Sequence, residues 1–464
     1  MQPVPDEMLP AGYGGSRITS DQETPSSAAY DGRGGLFTYA EPAESVPLDL
    51  EIAESIASGQ AWISDFLARL VDQATTLGNE EQGQAVVAEA LREMGLEPVD
   101  VPMDADAIRA HPGHSPFDWD VTGKRNVVAT WTPSATGGRS LIMNGHVDVV
   151  SPEPRAAWTR DPFRSSVEDG WLYGRGAADM KCGTAAILGA VRGLIQLGLT
   201  PAAPIHLQSV VEEECTGNGT LQCMLAGYTA DAAVFAEPFG AAITTSQVGV
   251  LWFQVRIEGV PGHAAEGANA VNAIEKSLAM IYALRGLEAE LNTAPPPPYD
   301  LFEHPIAMNV GAIHGGDWPS TVPGECITEY RIALYPGMRV RDLQDRVEAV
   351  IAEVAAGDPV MPAHPPQVIY RGFACEGYEI AADSPLVTSL AGAYVRQTGA
   401  PPALVATTGT TDARIYGLYG GVPSVCFGPF AELSHGADER VYLPSVVQTA
   451  QVLGLFIRDW CGLS

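Results

Sequence analysis

From Leu48 onward the apolar positions fall into two rhythms. Ile52, Ile56, Trp62, Ile63, Phe66, Leu67, Leu70 and Val71 recur at three- and four-residue spacing, which predicts helix. The pattern repeats over Gln84 to Met94 and stops at Gly95. Strands follow over 126–131 and 140–144, then a Pro-rich loop, a short strand at 171–173 and a long apolar helix over 177–197 that ends at Gly198. Buried strands are predicted at 205–211 and 232–236. Strands that are apolar throughout and alternate with helices predict an α/β fold, a mostly parallel sheet with helices on both faces.

Near Thr245 the rhythm changes. Residues 250–258 alternate as a strand with one open face, 268–287 form an amphipathic helix, and strands at 306–313 and 326–334 precede a helix at 341–354 and a short strand at 368–370. That βαββαβ order describes a compact unit of the split-βαβ kind. Helix and strand patterns resume at 385–398, 403–407 and 424–427, so the simplest account is an insertion. The expected organisation is an extension over 1–47, a larger domain in two parts over 48–245 and 373–464, and an inserted unit over 246–372.

Composition narrows the function. With 26 Lys+Arg against 56 Asp+Glu, the formal charge of −30 excludes nucleic acid or anionic lipid as the main partner. The opening MQPVPDEMLP has neither the basic nor the apolar stretch of a secretory leader, and Arg192 and Gln196 interrupt the longest apolar run. Seven scattered cysteines without a Cys-x-x-Cys clip read as reduced thiols, so a cytoplasmic, non-membrane protein is expected.

Candidate chemistry gathers at the predicted strand ends, where open α/β sheets bind ligands. His146 and Asp148 stand two residues apart in LIMNGHVDVV, a spacing that places both on one face of an extended chain. Asp179 lies in the glycine-rich turn GRGAADMK, which lacks the spacing of a dinucleotide loop. Glu212, Glu213 and Glu214 follow a buried strand; three adjacent carboxylates must be exposed or clamped by cations. Glu237 ends another strand, and His435 sits in LSHGADE. Two His with several carboxylates suit Zn²⁺, with Co²⁺ or Mn²⁺ as substitutes.

The motifs GHVDVV, GRGAADMKCG, VVEEECTGNG, FAEP and SHGADE, in that order, resemble the M20 family of metallopeptidases and deacylases over roughly residues 60–460. The VEEECTGNG form is most similar to the acetylornithine deacetylase and succinyl-diaminopimelate desuccinylase branch. The resemblance implies two divalent metals. His146 and Glu237 would hold one, Glu214 and His435 the other, with Asp179 bridging, Asp148 orienting His146 and Glu213 as general base. It makes the larger domain catalytic and the insert a lid and dimerisation domain, hence a homodimer. His263 of GVPGHAA would cross to the partner's active site, Asn309 and Arg331 would contact a substrate carboxylate, and Gly409 and Thr410 would sit on a substrate-binding loop. Relatives commonly carry Asn two residues before the Val/Ile-Pro of the lid loop, whereas this chain reads Trp318-Pro319-Ser320-Thr321-Val322-Pro323, with a hydroxyl side chain there. Asp412 and Arg414 read equally as pocket residues or as an ion pair.

The implied activity is a two-metal amidohydrolase that removes an acyl group from an N-acyl amino acid or related small amide. Its alternatives are a dipeptidase or carboxypeptidase using the same metals, and a metal-binding relative without catalysis.

Overall fold

The computed structural model describes residues 47–464 apart from Ser134; the extension predicted for 1–47 therefore lies, but for Pro47, outside the described residues. The first helical pattern forms two helices, Pro47–Ser58 and Gln60–Val71, separated at Gly59. The larger sheet runs in spatial order 98–102, 125–131, 205–210, 141–146, 232–235, 424–426, 243–247 and 378–379, and Leu404–Thr407 also pairs with Ile243–Gln247. Its centre, from Ile205–Val210 to Ser424–Cys426, is parallel, while antiparallel ladders flank it on both sides, so the sheet is mixed. The outermost Pro98–Pro102 is largely exposed, which the antiparallel margin of a sheet tolerates.

Side chains alternate across this sheet. Leu141 and Met143 join a large core with Phe66, Leu188 and Phe456 on one face, and Ile142 joins Phe235 and Tyr416 on the other. The predicted helix at 177–197 forms only from Lys181 to Gln196, leaving Asp179 in the turn before it. The sequence pattern assigns no element to Leu443–Cys461, yet these residues form a 19-residue helix packed on Lys181–Gln196 and Pro385–Thr398. Val446, Ala450, Leu453 and Ile457 recur at helical spacing and are buried, with Gln448 and Asp459 exposed, so the period that marks an amphipathic helix is present here although no element was expected.

The inserted unit has the expected βαββαβ order. Its sheet is ordered 308–315, 325–334, 249–258, 367–375, antiparallel throughout. Leu251, Phe253, Val255 and Ile257 pack under helices Ala273–Leu291 and Val340–Gly357 with Met280, Leu284, Val347 and Ile351. The first of these helices starts later than predicted because the Asn272 side chain caps it, accepting from the amides of Ile274 and Glu275. The chain leaves the larger sheet at Ile243–Gln247 and returns beside it at Tyr378–Glu379, with Tyr378 opposite Gln247. There the backbone of Gly249 lies against that of Gly377; a Cβ on Gly249 would come within 2.6 Å of the Gly377 nitrogen.

Candidate active site

Three parallel strands deliver their C-terminal ends to one edge of the larger sheet. Leu141–His146 ends on His146, Ile205–Val210 runs into Glu212–Glu214, and Ala232–Phe235 stops two residues before Glu237. The turn before helix Lys181–Gln196 adds Asp179, and the loop after Ala431–Glu432 adds His435. Asp179 lies between the two imidazoles: His146 Nε2 is 3.2 Å from Oδ1 and His435 Nε2 is 3.4 Å from Oδ2. Glu214 Oε2 is 3.0 Å from His435 Nε2, while Glu237 Oε1 and Glu213 Oε2 lie 3.9 and 3.8 Å from His146 Nε2. Ligand atoms of His146, Asp179 and Glu214 fall within 4.8 Å of one another.

Electrostatics mark the cluster as short of positive charge. Burial, with Asp412, Glu237 and Glu214 nearby, raises the Glu213 carboxyl well above its ordinary range; burial and the neighbouring Asp179 do the same to Glu237. Burial opposes charge on His435, but its bonds to Asp179 and Glu214 push it up to about 11. Glu214 Oε1 is buried with no hydrogen-bond partner. Mixed nitrogen and oxygen donors suit divalent cations, which would also relieve the crowded carboxylates and the orphaned oxygen.

Asp148 acts on this cluster differently from a simple carboxylate–imidazole pair. Its backbone oxygen is 2.9 Å from His146 Nδ1 and thereby orients the ring, whereas its carboxylate, 3.7 Å from that nitrogen, accepts the amides of Glu213 (3.3 Å) and Glu214 (3.0 Å). The acidic triplet is divided in the same economical manner. Glu212 faces away at φ +63°, where Lys124 Nζ and the Trp119 indole each approach its Oε1 at 2.8 Å. Glu80 shares that lysine at 3.0 Å. Only Glu213 and Glu214 then turn toward the cluster.

Two residues without a sequence-derived role fasten the other side. Glu439 Oε1 accepts the amides of Ala178 and Asp179, each at 2.9 Å, while its Oε2 meets Arg175 Nη1 at 2.5 Å. Arg175 also donates to the His435 carbonyl. An arginine inside the glycine-rich turn and an acid closing SHGADE were the available signals. Asp412 and Arg414 form a buried ion pair at 3.4 Å, with Arg414 also donating to the carbonyls of Thr411 and Thr216.

The remaining sequence-predicted residues lie on the inserted unit or facing it. Asn309 and Arg331 are cross-strand partners, and Arg331 donates to the carbonyls of Ala307 and Thr408. Thr410 Oγ1 is 3.8 Å from Cys375 Sγ, and the Gly409 amide donates to Thr407 Oγ1. His263 is exposed, its Nδ1 accepting from the Ala265 amide, so the structure does not bring it into the cluster of its own chain. Opposite it in register stands Thr321 of the departing WPSTVP loop.

The comparisons agree with this architecture. Residues 142–459 match the model of peptidase family M20/M25/M40. The chain is 31% identical over 371 residues to N-formyl-4-amino-5-aminomethyl-2-methylpyrimidine deformylase of Halalkalibacterium halodurans, covering 74% of this chain and 85% of that protein. It is 31% identical over 350 residues to acetylornithine deacetylase of Proteus mirabilis, covering 74% and 84%. The crystal structure of human carnosine dipeptidase 1 shares the fold, with a TM-score of 0.70 at 16% identity over 89% of this chain and 99% of that one. With a family model spanning its cluster, its inserted sheet and its C-terminal helix, the chain belongs to peptidase family M20/M25/M40.

Proposed function

We propose that this M20 hydrolase is a two-metal deacylase that cleaves the amide of an N-acyl amino acid or related small amide. The observation that carries the reading is Asp179 lying between the imidazoles of His146 and His435, with Glu213 buried beside them. The deformylase and deacetylase names of its relatives favour deacylation. His146 and Glu237 would hold one cation, His435 and Glu214 the other, with Asp179 shared. Zn²⁺ suits these donors, and Co²⁺ or Mn²⁺ could replace it. Such ions, when bound, acidify water and polarise a carbonyl.

The chain's own residues supply the remaining steps. Glu213 accepts the proton of the attacking water and returns it to the departing nitrogen. Asp148 fixes the His146 ring and the Glu213 and Glu214 backbone together. Asn309 and Arg331 bind the substrate carboxylate, and Gly409 and Thr410 line the loop that meets it. His263, exposed on the insert, would reach the partner's site in a homodimer and steady the oxyanion. The seven free, buried cysteines suit a cytoplasmic setting.

The test is hydrolysis of a panel of N-acyl amino acids and dipeptides by protein stripped with chelator and reloaded with Zn²⁺ or Co²⁺. Metal-dependent release of amine from acyl amino acids is expected. Preference for dipeptides would move the assignment to a peptidase, and two bound metals with no turnover would reject it.

A further inference from the structure

Beyond the metal-binding end, a cleft continues beneath the inserted sheet. The chamber beside the cluster, about 710 Å³, includes Asp148 and Glu214 in its lining; the second, about 360 Å³, includes Asn309, Arg331 and Trp119. Leu77, Cys215 and Trp252 line both, so the chambers meet at an apolar neck. The second volume lies at the small end of the roughly 300–1,000 Å³ typical of ligand pockets, which suits a single amino-acid side chain and its carboxylate.

Two indoles of this chamber are fixed before any ligand arrives. Trp119 is held by its 2.8 Å bond to Glu212, and the Arg371 guanidinium lies 5.7 Å from its ring centre. Trp252 packs edge-on against Phe373, with ring centroids 5.2 Å apart and planes at 84°. Gly372, at φ +84°, backs that indole so closely that a Cβ would sit 2.4 Å from the ring. Walls already held in place cost little ordering on binding.

Charge supplies the second constraint. Asn309, Arg331 and Trp252 form one row across three strands, each directly opposite the next. Arg331 donates to two carbonyls and has no carboxylate partner among the described residues. Of the other charged side chains lining the chamber, Arg371 pairs with Asp118 at 2.6 Å, and Glu329 accepts from the Gln254 amide at 3.1 Å and lies 3.9 Å from His314 Nε2. The chamber therefore combines fixed aromatic walls with one cation that lacks an anion.

Resting on the deacylase reading, the geometry points to N-acyl aromatic amino acids as the preferred substrates. The substrate ring lies along Trp119 and Trp252, its carboxylate meets Arg331 and Asn309, and the amide reaches through the neck toward the cluster. A small aliphatic side chain leaves the apolar walls wet.

The experiment compares N-acetyl-, N-formyl- and N-succinyl-L-phenylalanine with the same derivatives of L-alanine, on metal-loaded protein. A roughly 10- to 100-fold advantage in kcat/KM for phenylalanine is expected from burying the ring. Trp252→Ala should cut that ratio by about 5-fold or more, mainly through KM. Leu77→Ala, at a half-exposed neck position, should lower it less and guards against a folding defect at Trp252. Calorimetric binding of the two acetyl derivatives to metal-loaded Glu213→Gln protein, which keeps the pocket and loses turnover, reads the slot independently of catalysis. Equal kcat/KM or equal Kd for the two amino acids would overturn the aromatic slot while leaving deacylation intact. Tighter binding of the phenylalanine derivative without turnover on any acyl amino acid would retain the slot and reject the deacylase reading.

Discussion

The two walls of the cleft are built on different principles. The wall bearing His146, Asp179, Glu213 and Glu214 is held from behind by buried charge: Lys124 grips Glu212 and Glu80, and Arg175 grips Glu439. The wall on the inserted unit carries Asn309, Arg331 and Trp252 as a cross-strand row, with Arg331 tied, among the described residues, to carbonyls. Buried ion pairs are costly to break, whereas a partly exposed row tolerates exchange. The first wall should thus fail in chemistry or in folding, and the second in substrate preference.

The largest expected effect is at Glu213. Glu213→Gln keeps the shape and removes the base, so turnover should fall by about 10²–10⁴-fold with metal content unchanged by elemental analysis. Retained turnover would place proton transfer elsewhere. Next comes Glu439→Ala, which strands Arg175 in the interior; denaturant unfolding should show a loss of about 3–5 kcal/mol. A loss comparable to that of a surface pair would erase the contrast between the walls.

Metal removal gives a smaller, pH-dependent effect whose sign is fixed. Burial pushes Asp148 up to about 7 and raises Glu213 and Glu237. A carboxyl with a raised folded pKa stabilises the fold fully below its ordinary value and loses that contribution as pH climbs through the raised one. Stripped protein should therefore lose this stability as pH rises toward about 7. Metal affinity grows as ligands deprotonate, so the Tm gap between loaded and stripped protein should widen over about pH 5 to 8. A gap that narrows would contradict a metal role for these groups. Smallest in stability is Arg331→Met: KM for carboxylate-bearing substrates should rise about 10-fold, with unfolding free energy changed by under about 1 kcal/mol. A large stability loss would make Arg331 a structural tie to the Thr408 loop instead.

The same contrast explains what the sequence could disclose. His146, Asp179, Glu213 and His435 stand beside strand ends and tight turns, where short local motifs carry both the backbone path and the chemistry. Glu213 and Glu214 stood out as part of the acidic triplet in VVEEECTGNG, and the resemblance separated their roles. The row of Asn309, Arg331 and Trp252 was not, because it arises from register between strands separated by up to about 80 residues, and two of its members were named only through resemblance. Lys124 escaped for a related reason: it acts on Glu212, far from it in sequence, and a single Lys carries no local signal, whereas Glu439 stood inside SHGADE but its partners at 175–179 are set only by the fold. The C-terminal helix, by contrast, was legible: Val446, Ala450, Leu453 and Ile457 keep helical spacing, and only its place against Lys181–Gln196 and Pro385–Thr398 required the fold.

The paired crossing beside Gly249 and Gly377 bears on how such a protein can be rearranged. Because the chain departs and returns on neighbouring strands, with Gln247 facing Tyr378, a short turn could join them and close the larger sheet without the insert. The wall on the insert is in that sense a cassette: a different βαββαβ unit spliced at the same two strands would meet the same edge of candidate metal ligands, and on the proposed reading substrate preference would change by exchange of one contiguous segment.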